Sequence, residues 1–172
     1  MLRLRPYKPG DAVTVVGWIG DENAFRMWAA DRYERYPITA EDMNRYYDGF
    51  ADADWFYPMT AWDESGIAAH MILRFTDPEK QNLRFGFIIV DSAKRGKGYG
   101  KELVSLALKY AFEILKVKKV TLGVAEGNLP ALRCYEALGF RVDPEEKEVC
   151  FASGKQWMFQ GMEISYEEYA AR

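Results

Sequence analysis

A strand, a glycine-rich turn and a helix follow one another between Leu83 and Leu115, and this succession restricts the fold more than any other stretch of the chain. Leu83 to Val90 is apolar on both faces, as a strand in the middle of a sheet should be. Arg95-Gly96-Lys97-Gly98-Tyr99-Gly100 then turns the chain into a helical pattern over Lys101 to Leu115, with Leu103, Leu106, Ala107, Tyr110, Ala111 and Ile114 on one side. Lys119 to Ala125 is again strand-like. A strand–helix–strand crossover is right-handed, so these two strands should be parallel. The other strand signals pair as hairpins. Trp55 to Trp62 and Gly66 to Phe75 turn at Asp63-Glu64-Ser65-Gly66, and Lys147 to Ala152 and Lys155 to Glu163 turn at Ser153-Gly154.

Nearer the N-terminus, Leu2 to Tyr7 suggests a first strand ended by Pro9-Gly10, and Asp11 to Gly20 has helical spacing at Ala12, Val15, Val16 and Ile19. Asn23 to Phe50 reads as helix, break at Pro37, and a second helix opened by the capping box Thr39-Ala40-Glu41-Asp42. The expected architecture is α/β, a mixed and mostly antiparallel twisted sheet with one parallel strand pair, flanked by helices. With no repeat, low-complexity tract or linker, residues 1–172 are expected to form a single domain.

The glycine turn also carries chemistry. Glycines let a backbone approach a pyrophosphate, the free amides of a helix's first turn point at it, and the helix dipole favours its charge. Arg95, Lys97 and Lys101 add positive charge at the rim. The turn is not a Walker loop, since no Gly-Lys-Ser/Thr follows, and it lacks the G-x-G-x-x-G spacing of a dinucleotide fingerprint. A glycine-rich turn that holds no ligand stays open as an alternative.

Asn128 to Phe140 is a second, fully punctuated element. Asn128 suits an N-cap, Pro130 falls in the first turn, and Gly139 suits the left-handed position that ends a helix. Ala131, Cys134, Tyr135 and Leu138 share one helical face. Tyr135 on that face either carries its hydroxyl into an apolar cleft or is a packed core tyrosine.

Taken together, the two elements resemble the Gcn5-related N-acetyltransferase (GNAT) superfamily. Arg95, Gly98 and Gly100 match its Arg/Gln-x-x-Gly-x-Gly/Ala signature; Asn128, Ala131, Tyr135, Gly139 and Phe140 match its Asn-x-x-Ala-x-x-x-Tyr-x-x-x-Gly-Phe element. The matching core runs from about Ile67 to Phe140.

The resemblance implies an acyl-CoA N-acyltransferase-like fold and transfer of an acetyl group from acetyl-CoA (coenzyme A) to a primary amine by direct attack. It implies that the backbone of Arg95, Gly96, Lys97, Gly98, Tyr99, Gly100 and Lys101 holds the pyrophosphate. Ile88, Ile89 and Val90 would bind the pantetheine arm as an added strand and supply oxyanion donors, with Asn128 also contacting the arm. Tyr135 would give a proton to the departing thiolate.

Many relatives place a glutamate base on the strand before the glycine turn, where this chain has Phe85, Gly86 and Phe87. The remaining candidate is His70, in the strand Gly66 to Phe75 on the face opposite Ala69, Met71 and Leu73, against the alternatives of a structural histidine, a water chain or Glu126. Cys134 sits beside Tyr135, but no activating base accompanies it, so packing is its expected role. Trp28 and Tyr33, in an aromatic-rich N-terminal third, are the candidates to line an acceptor pocket.

A net charge of −3 gives no argument for nucleic acid or an anionic membrane. Two cysteines and one histidine make no disulfide framework and no metal cluster, so no metal is expected and a reducing, cytoplasmic setting is. No apolar run reaches membrane-spanning length. The acceptor is expected to be a small-molecule amine, with a peptide amine as the alternative, which would make the chain a ribosomal-type protein N-terminal acetyltransferase. A third alternative is a catalytically inactive acyl-CoA-binding sensor. A homodimer is compatible with such a domain.

Overall fold

The computed structural model describes residues 1–172. A seven-stranded sheet runs through the chain in the order β1-β2-β3-β4-β5-β7-β6. Its strands are β1 (Arg3–Pro6), β2 (Phe56–Asp63), β3 (Gly66–Phe75), β4 (Asn82–Val90), β5 (Lys119–Ala125), β6 (Arg141–Ala152) and β7 (Lys155–Ser165). Every neighbouring pair is antiparallel except β4 with β5. The helices are α1 (Ala12–Val16), α2 (Glu22–Ala29), α3 (Ala40–Asp48), α4 (Tyr99–Lys109), α5 (Leu129–Ala137) and α6 (Tyr166–Ala170).

Alternation along the strands sends side chains to two cores. On one face Ala69, Met71, Leu73 and Phe85 meet Leu103, Leu108 and Phe112 beneath α4, with Leu138 and Phe140 beside them. On the other, Ile72, Phe87 and Ile89 meet Phe25, Met43 and Tyr47 beneath α2 and α3. The caps follow local chemistry. Asp21 accepts from the Ala24 amide at 2.7 Å to open α2, and Thr39 with Asp42 forms the capping box that opens α3.

Two expectations shift. The buried stripe of α4 is Leu103, Val104, Ala107, Leu108 and Ala111, continued by Phe112, while Tyr110 and Ile114 are exposed. After Lys109 the chain widens into a π-type turn over Tyr110–Ile114, closed by the Leu115 amide on the Tyr110 carbonyl at 3.0 Å; the buried stripe keeps helical spacing but turns toward Val104, Leu108 and Phe112 and away from Leu106, Tyr110 and Ile114. The predicted helix over Asp11 to Gly20 shortens to α1 behind a 3-10 turn at Pro9–Asp11.

Asp11 is fixed by tertiary partners. Its carboxylate, 4% exposed, accepts from Arg5 at 2.8 and 2.9 Å, from the Lys8 amide at 2.9 Å and from the Thr60 hydroxyl at 2.8 Å. Burial alone would raise its pKa, but these donors outweigh burial and lower it.

Candidate active site

The pairing of β4 with β5 covers only Asn82–Arg84 against Lys119–Thr121. Beyond Arg84 the two strands separate, while β5 stays paired to β7 through Ala125. The edge of β4 that faces β5 is therefore open from Phe85 to Val90, in the interior of the sheet. The register of β4 on β3 also slips beside Met71, between His70 and Ile72, and Phe87 takes a left-handed backbone (φ 48°) there. That conformation is strained for a bulky residue and marks a bulge that re-aims the strand.

Past Val90 the chain reaches the glycine turn. Gly96 and Gly98 have φ of 73° and 87°, which L side chains resist, and a Cβ at either would project into open space. Gly98 is the N-cap of α4. No backbone N–H from Arg95 to Lys101 has an acceptor within the chain. A run of free amides at a helix start, with open space above it, fits a pyrophosphate, and the open β4 edge fits an extended amide-bearing arm.

The flanking side chains behave differently from one another. Arg95 donates to the carbonyls of Val90 at 3.2 Å and Trp18 at 2.9 Å, and Lys97 donates to the Ala93 carbonyl at 2.9 Å. Arg95 and Lys97 thus brace the turn, leaving Lys101 as the cation of the motif without a partner in the chain. Tyr99 donates to Asp63 at 2.8 Å, and Lys94 binds the same carboxylate at 2.9 Å. With the Ser65 hydroxyl as its leading partner, followed by Lys94 and Tyr99, Asp63 is held far below the usual carboxylate range. The β2–β3 turn is thereby tied to the start of α4.

Across the cleft, Asn128 caps α5 through the Ala131 amide at 3.4 Å. Tyr135 is 7% exposed and packs on Phe140 at 6.0 Å. Its hydroxyl makes no hydrogen bond in the chain, yet it is not among the polar atoms sealed from solvent. Burial pushes its pKa above the ordinary phenol value, so the hydroxyl keeps its proton. Burial likewise pushes the Cys134 thiol up, which leaves it a poor nucleophile.

His70 does not join this cleft. It is 0% exposed in the second core, its Nε2 shares a 2.6 Å hydrogen bond with the Tyr47 hydroxyl, and its Nδ1 is buried without a partner. Burial pushes its pKa down to about 3. A sealed imidazole with no path to an acceptor cannot collect its proton, so the expectation of a histidine base is corrected to a core residue.

On the α2–α3 face, the split between β4 and β5 opens into a cavity of about 350 Å³. Trp28, Tyr46, Phe50 and Phe87 form its apolar wall, and Arg32, Arg74, Arg84 and Glu148 supply the charge. Trp28 lines this cavity. Tyr33 does not: it lies behind, 6.3 Å from Trp28 in a stacked pair, with its hydroxyl buried and unpartnered. The arginines were not singled out from the sequence. A visible signal was Arg84 interrupting the otherwise apolar run Leu83 to Val90.

The chain is similar to known acetyltransferases in sequence and in fold. The family described as acetyltransferase (GNAT) domain matches residues 1–141. The prophage-derived N-acetyltransferase YokL of Bacillus subtilis is 29% identical over 154 residues, covering 89% of this chain and 83% of the relative. Spermidine N(1)-acetyltransferase of Vibrio cholerae is 25% identical over 171 residues, covering 99% and 96%. The fold of the Vibrio cholerae spermidine N-acetyltransferase, solved with CoA and spermine, superposes with a TM-score of 0.82 over 98% of both chains at 24% identity. The chain belongs to the GNAT family and is an acetyl-CoA-dependent N-acetyltransferase.

Proposed function

We propose that the whole chain works as one catalytic unit that acetylates the primary amine of a small molecule, with acetyl-CoA entering from the α4–α5 side and the acceptor from the α2–α3 side. The observation that carries this reading is the split between β4 and β5 beyond Arg84: the free amides of the glycine turn follow the far end of the open β4 edge, and Arg84 to Phe87 at its near end line the 350 Å³ cavity. Relatives named as spermidine acetyltransferases support a small amine as the acceptor class. The free thiols of Cys134 and Cys150 support a reducing, cytoplasmic setting.

Bound in the cleft, acetyl-CoA supplies the thioester carbonyl that the amine attacks. The amides from Arg95 to Lys101 hold the pyrophosphate, and the open edge from Ile88 to Val90 aligns the pantetheine arm with Asn128 opposite. As the C–N bond forms and the C–S bond breaks, the Tyr135 hydroxyl delivers a proton to the sulfur, and the phenolate left behind regains a proton from water. Phe87, at the bulge, sets where the strand amides point when charge develops on the carbonyl oxygen. Glu148 is the one carboxylate lining the cavity, and it is ion-paired to Arg32 at 3.0 Å. The ammonium proton therefore leaves to water.

The test is amine-dependent release of CoA across small amines and short peptides, with Tyr135→Phe in parallel. Turnover of small amines, reduced in the phenylalanine variant while acetyl-CoA still binds, is the expected result. Turnover confined to peptides would replace the small-molecule acceptor with a protein N-terminus. Binding of acetyl-CoA without release by any amine would favour a sensor.

A further inference from the structure

Building on the small-molecule acceptor reading above, we propose that the acceptor carries a carboxylate, as a free amino acid does, and that Arg74 and Arg84 grip it while the aromatic wall holds the carbon skeleton.

Arg74 on β3 and Arg84 on β4 are direct cross-strand partners, so their side chains leave the sheet on the same face, and both line the acceptor cavity. Like charges placed directly opposite destabilise a sheet. The chain does little to relieve this pair. Arg74 has no hydrogen-bond or ion-pair partner, and Arg84 reaches only Glu148, at 3.9 Å. Arg32, the third guanidinium, is already satisfied by Asp31 at 2.6 Å and Glu148 at 3.0 Å. The cavity thus sets three guanidinium groups against one carboxylate, and that carboxylate is engaged.

An acceptor with a second ammonium group would be repelled here. A carboxylate would instead take parallel N–H donors from a planar guanidinium in a partly dried site, the geometry for which arginine is suited. Position agrees with chemistry. A Cβ added at Gly123 on β5 would meet Arg84 Nη2 at 3.0 Å, so this guanidinium lies across the gap between the two strands. Arg84 and the bulge residue Phe87 are separated along β4 by roughly 10 Å at ordinary strand rise. An arginine side chain and a small amino acid together span that distance, which brings the amine to the split. Tyr46, Phe50, Trp55 and Phe56 on the same cavity favour an apolar or aromatic side chain on the acceptor.

The experiment compares aromatic and aliphatic amino acids, their carboxamides, and spermidine as acceptors for the full chain with acetyl-CoA. A second readout is the thermal stability of the CoA-loaded protein with each compound. The amino acid is expected to exceed its amide by about 10- to 100-fold in kcat/KM, mainly through KM, because a charged bidentate contact is lost. Arg74→Gln should bring the acid down to the amide, with Arg74→Lys, which keeps charge without the fork, in between. The acid should stabilise the CoA-loaded wild type, and not Arg74→Gln, more than the amide does. Equal or better turnover of amides or spermidine would overturn the carboxylate and leave the transferase standing. Carboxylate-dependent stabilisation without turnover would keep the anion site and overturn the transferase reading. Neither turnover nor such stabilisation would overturn both.

Discussion

Two proton-bearing candidates from the sequence sit in opposite environments. Tyr135 and His70 each carry a group able to move a proton, and their environments differ: the Tyr135 hydroxyl is not sealed from solvent, whereas the His70 ring is fully buried. Burial raises the Tyr135 pKa, so the protonated, donating form persists to higher pH than in a free phenol. The rate is therefore expected to show no alkaline fall from this group below about pH 10, and Tyr135→Phe should lower kcat by on the order of 10²-fold with little change in acetyl-CoA binding. A pH–rate profile of both proteins checks this. His70 matters to stability instead. It titrates near 3 when folded and near 6.5 when exposed, so as pH falls the unfolded chain takes the proton first. Its contribution is complete above about pH 6.5 and declines by up to about 1.4 kcal/mol per pH unit toward pH 3. Since His70 is the sole histidine, His70→Gln should flatten the stability slope between pH 6.5 and 4.5 in urea denaturation. Nothing local in Ala69-His70-Met71 announces the difference: the alternation sets the face, and only the docking of α3 seals it.

At the scale of the element, the glycine turn separates backbone need from mere smallness. Gly98 has a positive φ, so Gly98→Ala should lower stability by about 1–2 kcal/mol and weaken acetyl-CoA binding. Gly100 is helical, and a Cβ there would meet only Val90 Cγ2 at 3.8 Å. Gly100→Ala should leave stability within about 0.5 kcal/mol. Thermal melts and acetyl-CoA titration of the pair distinguish these outcomes. The tie from Asp63 to Lys94 and Tyr99 adds a third case: Asp63→Asn should raise the KM for acetyl-CoA several-fold by loosening the turn, with kcat less affected. The strand–turn–helix unit and the capped α5 were legible because Gly, Pro and Asn impose local conformations. The inward face of α4 was less so, because Leu106, Tyr110 and Ile114 share the same helical spacing as Val104, Leu108 and Phe112, and only tertiary packing chooses between the two flanks. Phe87 is the extreme case, since no phenylalanine advertises a left-handed backbone.

At the scale of the molecule, the sequence disclosed the β2–β3 and β6–β7 hairpins and the parallel pair β4–β5, since hairpin turns and crossover handedness are short-range rules, but not the pairing of β1 with β2, β3 with β4 or β5 with β7. The divergence of β4 from β5 after Arg84 was not disclosed, and neither was the meeting of Arg74 with Arg84, because both depend on register across the sheet. Asp11 shows how much rests on such meetings: it joins β1, the first 3-10 turn and β2 through buried, charge-assisted bonds. Asp11→Ala should cost about 3 kcal/mol or more by leaving Arg5 and its partners unpaired, read as a shift in the urea midpoint. The divergence itself has a kinetic consequence. If acetyl-CoA enters from the α4–α5 side and the acceptor from the α2–α3 side, as proposed, neither reactant has to leave before the other arrives, and no acetylated residue is needed to store the group in between. Initial-rate plots against both reactants should therefore intersect, in the pattern of a ternary complex, where a double-displacement enzyme would give parallel lines.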